Sequence, residues 1–224
     1  MVIFKGIELE TNDVSFRPTL ITEACAEVVN FEGKKILDLG CGIGPLAIYF
    51  ALNGASKVTA ADIYDEHINL TSINAQKNSA DINIIKSDLF KNIPEQYEVI
   101  SCDVSGVEKK IAEVTGWFPD GVPIADNTGA NLIIKVIKES SKYLKNDGEL
   151  FICATSFSDI SKIEKTMQKE YKNSWEKVYI EKVPFSKRLK GNMGLLSFND
   201  YIIKENNTFF WQIFIYKLKK INKK

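Results

Sequence analysis

The stretch Asp38–Gly44, DLGCGIG, constrains this chain more than any other. The apolar run Lys34–Leu39 ends in an acid, glycines follow at positions 40, 42 and 44, and a helical pattern starts at Pro45. Residues without a Cβ let backbone approach a bulky ligand closely. A helix that begins there offers N–H groups with no partner inside the helix. The pattern therefore predicts strand, turn and helix in succession, with a small-molecule site at the turn.

The rest of the chain fits that unit into a larger pattern. Further strands are expected at Lys57–Asp62, Ile82–Lys86, Tyr97–Cys102 and Glu149–Ala154, each an apolar or β-branched run of strand length. Helical stretches lie between them, at Pro45–Asn53, Asp65–Asn78, Ala130–Leu144 and Ser158–Tyr171. Ser158 reads as the cap of the last, and the Asp-Gly of KNDGEL as the stop between the third and the following strand. Such alternation implies a parallel sheet covered on both faces. Near the end, WEKVYIEKV and TFFWQIFIY read as two strands with no helix between them, which can pair antiparallel at one edge. The front end reads as a short strand or hairpin, IFKGIELE, and a helix opened by Pro18.

Composition is that of an ordinary globular protein, 45% hydrophobic and 26% charged over 224 residues. No apolar run reaches the ~20 residues that span a bilayer, and MVIFKGIELE lacks the features of a signal peptide. The chain is thus expected to be cytoplasmic. Cys25, Cys41, Cys102 and Cys153 are far apart, without metal-ligand spacing, and read as buried reduced thiols; no metal is expected. With His67 the only histidine, a Ser-His-Asp triad or His-rich metal site is disfavoured, and His67 itself reads as a surface residue. Ten Lys or Arg against three acids after residue 179 give that end a net charge of +7. Because the whole chain is neutral, this argues only weakly for a nucleic-acid partner, and KLKKINKK reads as a solvated tail.

The acids around the glycines select the ligand. Asp38 precedes them, where a phosphate would be repelled and a cation welcomed. Asp62 ends the next strand, where a carboxylate can grip both hydroxyls of a ribose. Asp88 follows the third strand, where it can accept from the amino group of an adenine. Three acids at successive strand ends suit a nucleoside carrying an amino acid and a positive sulfur.

ILDLGCGIGPLAIYFA, VTAADIYDEHINLTSINAQKN, IIKSDLF and YLKNDGELFI together resemble the motifs of the class I S-adenosylmethionine-dependent methyltransferases. The likeness covers about residues 16–154. It implies an α/β fold, a seven-stranded, Rossmann-like, mostly parallel sheet with an antiparallel C-terminal edge strand and helices on both faces. It implies S-adenosylmethionine as cofactor, held by Asp38, Gly40, Gly42, Gly44, Asp62 and Asp88, with Arg17, Ile63 and Leu89 beside them. Residues 1–224 are expected to form one domain, with an extension at 1–30, a cofactor core at 31–154 and a C-terminal edge with a long substrate-side loop at 155–224. FRPTLITEACAEVV and the Asn-Ala-x-x-Asn of INAQKNSADINIIKSDLF are similar to the release-factor glutamine methyltransferases in particular; Asn74 and Asn78 also read as ordinary helix-surface and helix-end residues.

One departure matters. Enzymes of that subgroup carry Asn-Pro-Pro-aromatic after the fourth strand, holding a planar amide beside the reactive methyl group. Here Ser101, Cys102, Asp103, Val104, Ser105 and Gly106 stand instead. Asp103 can act as a general base, orient an acceptor, or simply cap the next turn. Ser101, Ser105, Trp117 and Arg188 are candidate substrate contacts, with Lys190 and Met193 in the same late loop; Trp117 and Phe118 read either as pocket walls or as a lid on the sheet edge. The expected reaction is methyl transfer to nitrogen or oxygen of a small molecule or a peptide or protein side chain. The alternatives are a non-methyl use of the same cofactor, RNA methylation, and a non-catalytic subunit.

Overall fold

Parallel pairing of strands that mostly hand on to a helix governs the computed structural model, which describes residues 1–104, 106–118, 127–195 and 202–221. β1 (Val2–Phe4) and β2 (Ile7–Leu9) form a separate antiparallel hairpin. Lys5 and Gly6 between them both have positive φ, 45° and 84°, as a two-residue type I′ turn requires. Helix α1 (Leu20–Val28) follows. Its cap is Thr19 rather than Pro18: the Thr19 hydroxyl accepts from the Ile21 and Thr22 amides, and the Thr22 hydroxyl accepts from the Thr19 amide.

The main sheet is built from β3 (Lys35–Leu39), β4 (Lys57–Asp62), β5 (Asn83–Lys86), β6 (Tyr97–Cys102), β7 (Leu144–Thr155), β8 (Trp175–Pro184), β9 (Ile203–Glu205) and β10 (Thr208–Lys219). Its order is β5-β4-β3-β6-β7-β10-β8, with β9 paired to the start of β10. β3 to β7 pair parallel, and β10 is antiparallel to β7, β8 and β9. The expected seven-stranded sheet is present, and β9 adds an eighth, three-residue strand. It joins β10 through Asn206 and Asn207, both at positive φ, the same turn chemistry as the first hairpin.

Helices α2 (Pro45–Leu52) and α3 (Asp65–Lys77) follow β3 and β4. With α1 and the β1–β2 hairpin they cover one face, around Ile36, Phe50, Val99 and Phe151. Helices α5 (Asn131–Ser140) and α6 (Ile160–Tyr171) cover the other, around Leu37, Ile100, Ile137, Ile152 and Met167. The alternation of neighbouring residues between the two clusters is the two-residue period of strands buried on both sides. The short helices α4 (Lys109–Thr115) and α7 (Lys187–Gly191) pack with Phe157, Trp211 and Ile213 into a third, aromatic cluster.

Several predicted boundaries differ, two of them with a clear cause. Helix α5 ends at Ser140, four residues before Leu144, because the Tyr143 carbonyl accepts from the Tyr97 amide (2.8 Å) and joins the sheet. The Asp147–Gly148 pair therefore lies inside β7 as an irregularity in its pairing with β6, Asp147 at φ 59°, and does not end a helix. Helix α6 is capped by Asp159, whose carboxylate accepts from the Lys162 amide (3.0 Å), and not by Ser158, whose hydroxyl turns to the Gly106 carbonyl. All four cysteines are buried thiols, as expected, with the Cys25 and Cys153 sulfurs 3.1 Å apart.

Candidate functional site

The glycine turn is fixed from three sides. The Gly40 and Cys41 amides donate to the Ala61 carbonyl, at 2.8 and 3.0 Å. The Gly42 amide donates to Asp62 Oδ2 (3.0 Å), and the Thr71 hydroxyl donates to the Gly42 carbonyl (2.8 Å). Asn74 Nδ2 donates to the Ile43 carbonyl (2.9 Å). Glycine is required at position 44, where φ is 88° and a Cβ would run into the Thr71 side chain at 2.9 Å. At Gly42, φ is 54° and a Cβ would meet nothing within 4 Å, so the turn presents bare backbone to open space.

That space is a cavity of about 1160 Å³ at the C-terminal ends of the parallel strands, where open α/β sheets bind ligands. Asp38, Gly40, Gly42, Asp62, Ile63, Asp88, Leu89, Asp103 and Arg17 all line it. Gly44 does not; it shapes the turn from behind. Asp38 is only 2% exposed and accepts from the Ala47 amide (3.1 Å). Burial, with Asp103 beside it, pushes its carboxyl up to about 8. Burial likewise pushes Asp103 up to about 6, against a hydrogen bond from the Thr22 hydroxyl that lowers it. Asp62 is 7% exposed and tied by three groups: beyond the Gly42 amide on Oδ2, it takes the Tyr64 amide (3.0 Å) and His67 Nδ1 (3.1 Å) on Oδ1, which leaves acceptor capacity on Oδ2. Asp88 stands exposed on a turn held by Ser87, whose hydroxyl donates to the Leu89 carbonyl (2.6 Å) and accepts from the Asn92 amide (3.0 Å). Leu89 takes φ 48° in that turn.

Of the substrate candidates, Trp117 lines the cavity and packs on Trp211 (ring centroids 5.1 Å) and Phe157 (5.8 Å). Phe118 lines it as well, edge-on to Phe16. Arg188 lies just outside the lining, its guanidinium against Gly116. Lys190 is exposed and Met193 packs beside the aromatic cluster. Ser101 is not at the cavity: it is fully buried, its hydroxyl without a hydrogen-bond partner. Ser101 and Asp103 fall on one face by the two-residue strand period, but only Asp103 lies past the end of β6 and reaches the opening. Ser105 lies outside the described residues.

His67 corrects an expectation. It is 4% exposed, lines the cavity and pairs with Asp62, five residues earlier. The sequence signal was there: a histidine in the first turn of α3 is one short loop away from the acid that ends β4. Thr22, Tyr64 and Lys135 are further lining residues that the sequence reading passed over. Asn74 is fully buried rather than on the helix surface. It holds both the glycine turn and the N-terminal hairpin, accepting from the Glu10 amide (2.6 Å) and donating to the Glu10 carbonyl (3.2 Å). Asn78 repeats the device at Glu8, its amide donating to that carbonyl (2.8 Å) and accepting from that backbone N–H (3.2 Å).

The cavity is thus floored by glycines and ringed by acids at three successive strand ends. Residues 20–103 match the family model of the methyltransferase small domain. Over that stretch, somewhat more than a third of the chain, it is similar to that methyltransferase domain. It is 28% identical over 159 residues to the release factor glutamine methyltransferase of Streptococcus pneumoniae, covering 66% of this chain and 57% of that one. The chain thus spans little more than half the length of that relative. Among solved structures, the ribosomal protein L11 methylase of Lactobacillus delbrueckii subsp. bulgaricus superposes with a TM-score of 0.62 at 19% identity, over 98% of this chain and 90% of that one. The 16S rRNA N2 G1207 methyltransferase of T. Thermophilus, solved with AdoMet and guanosine, superposes with a TM-score of 0.53 at 15% identity, over 90% and 42%. These last two likenesses concern the fold. Among the described residues, no helix is long and apolar enough to cross a membrane.

Proposed function

We propose that this chain binds S-adenosylmethionine in the glycine-floored half of the cavity and transfers its methyl group to nitrogen or oxygen of a small molecule or a peptide or protein side chain. The observation that carries the reading is the charge of the lining. Asp13, Asp38, Asp62, Asp88 and Asp103 face Arg17 and Lys135 across one cavity, an acidic excess that suits a cationic ligand. Asp62 and the backbone at Gly42 would hold the ribose, Asp88 and Leu89 the adenine, and Asp38 with the helix start the amino-acid end. Arg17 would meet the carboxylate. Residues 1–224 are read as one domain serving this site.

The bound cofactor supplies an activated methyl group on a positive sulfur. The chain's own residues align the acceptor with it and exclude water, which is most of what such a transfer demands. Asp103 accepts a proton where the acceptor carries one.

Calorimetry with the cofactor tests the assignment, and no heat at millimolar ligand sinks it. The pH dependence is a sharper check. A cationic ligand favours ionised carboxylates, while free Asp103 and Asp38 hold protons up to about 6 and about 8. Binding below those values must expel protons, so affinity rises with pH across that window and levels off above it. An increase of about tenfold or more from pH 6 to pH 8 is expected. A flat profile contradicts the arrangement. For the acceptor, labelled cofactor is offered protein, RNA and small-molecule fractions separately. Label confined to RNA would favour the RNA methyltransferase alternative.

A further inference from the structure

The cavity is larger than the roughly 300–1,000 Å³ of most small-ligand sites, and its two parts differ in chemistry. The strand-end acids and glycines form one part. The other is walled by Trp117, Phe118, Val183, Leu189, Trp211 and Ile213, which meet from the loop after α4, the end of β8, α7 and β10. The charged lining residues all belong to segments before residue 136, and none comes from 116–118 or from 183–213. Trp117 is 37% exposed although Trp211 and Phe157 support it from one side, so its ring is available to the cavity. Asp103 follows β6, which lies in the sheet between β3, with its glycine turn, and the β7–β10 side that carries Trp211. Its partner Thr22 is next to Ile21, which packs against the aromatic cluster.

We infer that the aromatic part takes a small, phenol-like acceptor, its ring on Trp117 and Trp211 and its hydroxyl at Asp103. The inference rests on the methyltransferase reading above and names its acceptor class. A nucleic-acid chain brings phosphates, and among the described residues no cation lines this wall, Arg188 lying behind Gly116. A side-chain amide needs fixed acceptors on both N–H groups, and the segment after β6 presents one carboxylate in their stead. A phenol needs only an aromatic surface and one base. In the step, the phenolic proton passes to the Asp103 carboxylate as the oxygen lone pair forms an O–CH3 bond. The carbon–sulfur bond breaks with its electron pair left on sulfur. The products are an aryl methyl ether and the demethylated thioether, and Asp103 then releases the proton to solvent.

The test uses the full chain carrying Trp175→Phe, which leaves Trp117 and Trp211 as the only indoles; Trp175 lies away from the cavity, beside Tyr216 and Gln168. The probe is 4-methylphenol. Saturable quenching of indole fluorescence is expected. By calorimetry, Trp117→Ala weakens binding about tenfold or more and Trp117→Phe restores part of it, in keeping with ring stacking. Asp103→Asn keeps the quenching but lowers methyl ether formation at least about a hundredfold, the usual share of a general base. No saturable quenching at millimolar phenol, or affinity indifferent to Trp117→Ala, overturns the inference, as does label transferred to a glutamine peptide or RNA but not to 4-methylphenol. Calorimetry with the cofactor alone separates the two levels. Cofactor binding without phenol binding overturns this inference only, whereas no cofactor binding overturns both.

Discussion

Asp62→Ala is expected to weaken S-adenosylmethionine binding by about a hundredfold or more, roughly 3 kcal/mol, the worth of one or two hydrogen bonds to a charged group. The side chain ties three groups, the Gly42 and Tyr64 amides and His67, in a position that is 7% exposed. Its removal would strip the proposed ribose contact and also release the glycine turn from β4, leaving donors without partners. Asp62→Asn separates these effects. An amide can accept on one side only, so its NH2 must face either the Gly42 amide or the Tyr64 amide. Most of the affinity should still be lost although size is kept. Wild-type affinity in Asp62→Asn, by calorimetry, would rule out the carboxylate as the ribose ligand.

Asn74→Ala is expected to be the most damaging single change away from the ligand. Three hydrogen bonds converge on a fully buried amide, two to Glu10 and one to the Ile43 carbonyl. Truncation leaves those backbone groups unsatisfied, at about 1–3 kcal/mol each before relaxation. A loss of about 3 kcal/mol is a sensible centre, which lowers Tm by about 6–12 °C in a chain of this size. Asn78→Ala, with its partners at the surface, should cost about 1 kcal/mol. The pair differs in function too. Asn74→Ala should weaken cofactor binding because Ile43 belongs to the turn, and Asn78→Ala should not. Equal Tm shifts for the two variants, or an unchanged cofactor affinity in Asn74→Ala, would show that the clamp on the turn has no consequence.

The Asn-Ala-x-x-Asn segment shows what a sequence discloses and what it withholds. Its helical setting was readable, and so was its likeness to a known pattern. Its use was not. Asn74 meets Glu10 across 64 positions, and no local propensity reports such a contact. The same holds for His67, whose residue type and helix position left a surface site as the ordinary expectation until packing buried it against Asp62. Ser101 erred in the opposite direction. Proximity in sequence to Asp103 suggested a shared site, but the strand ends between them. Short β9 was missed because three residues carry no periodic pattern of their own; its pairing with β10 makes it a strand.

The glycine-floored half of the cavity was determined by sequence alone. In a parallel sheet every strand points the same way, so the residues just after β3, β4 and β5 gather at one end whatever the intervening helices contain. Asp38, Asp62 and Asp88 could be placed together by counting strands, and the glycines between them declared a close backbone approach. The aromatic half was decided only by tertiary structure. Trp117 and Trp211 are separated by most of the C-terminal half of the chain, and they touch because antiparallel β10 turns back beside β7 and brings its start over the loop after α4. Such a wall depends on how the sheet edge folds over itself, a non-local event that leaves no spacing rule in the sequence to read.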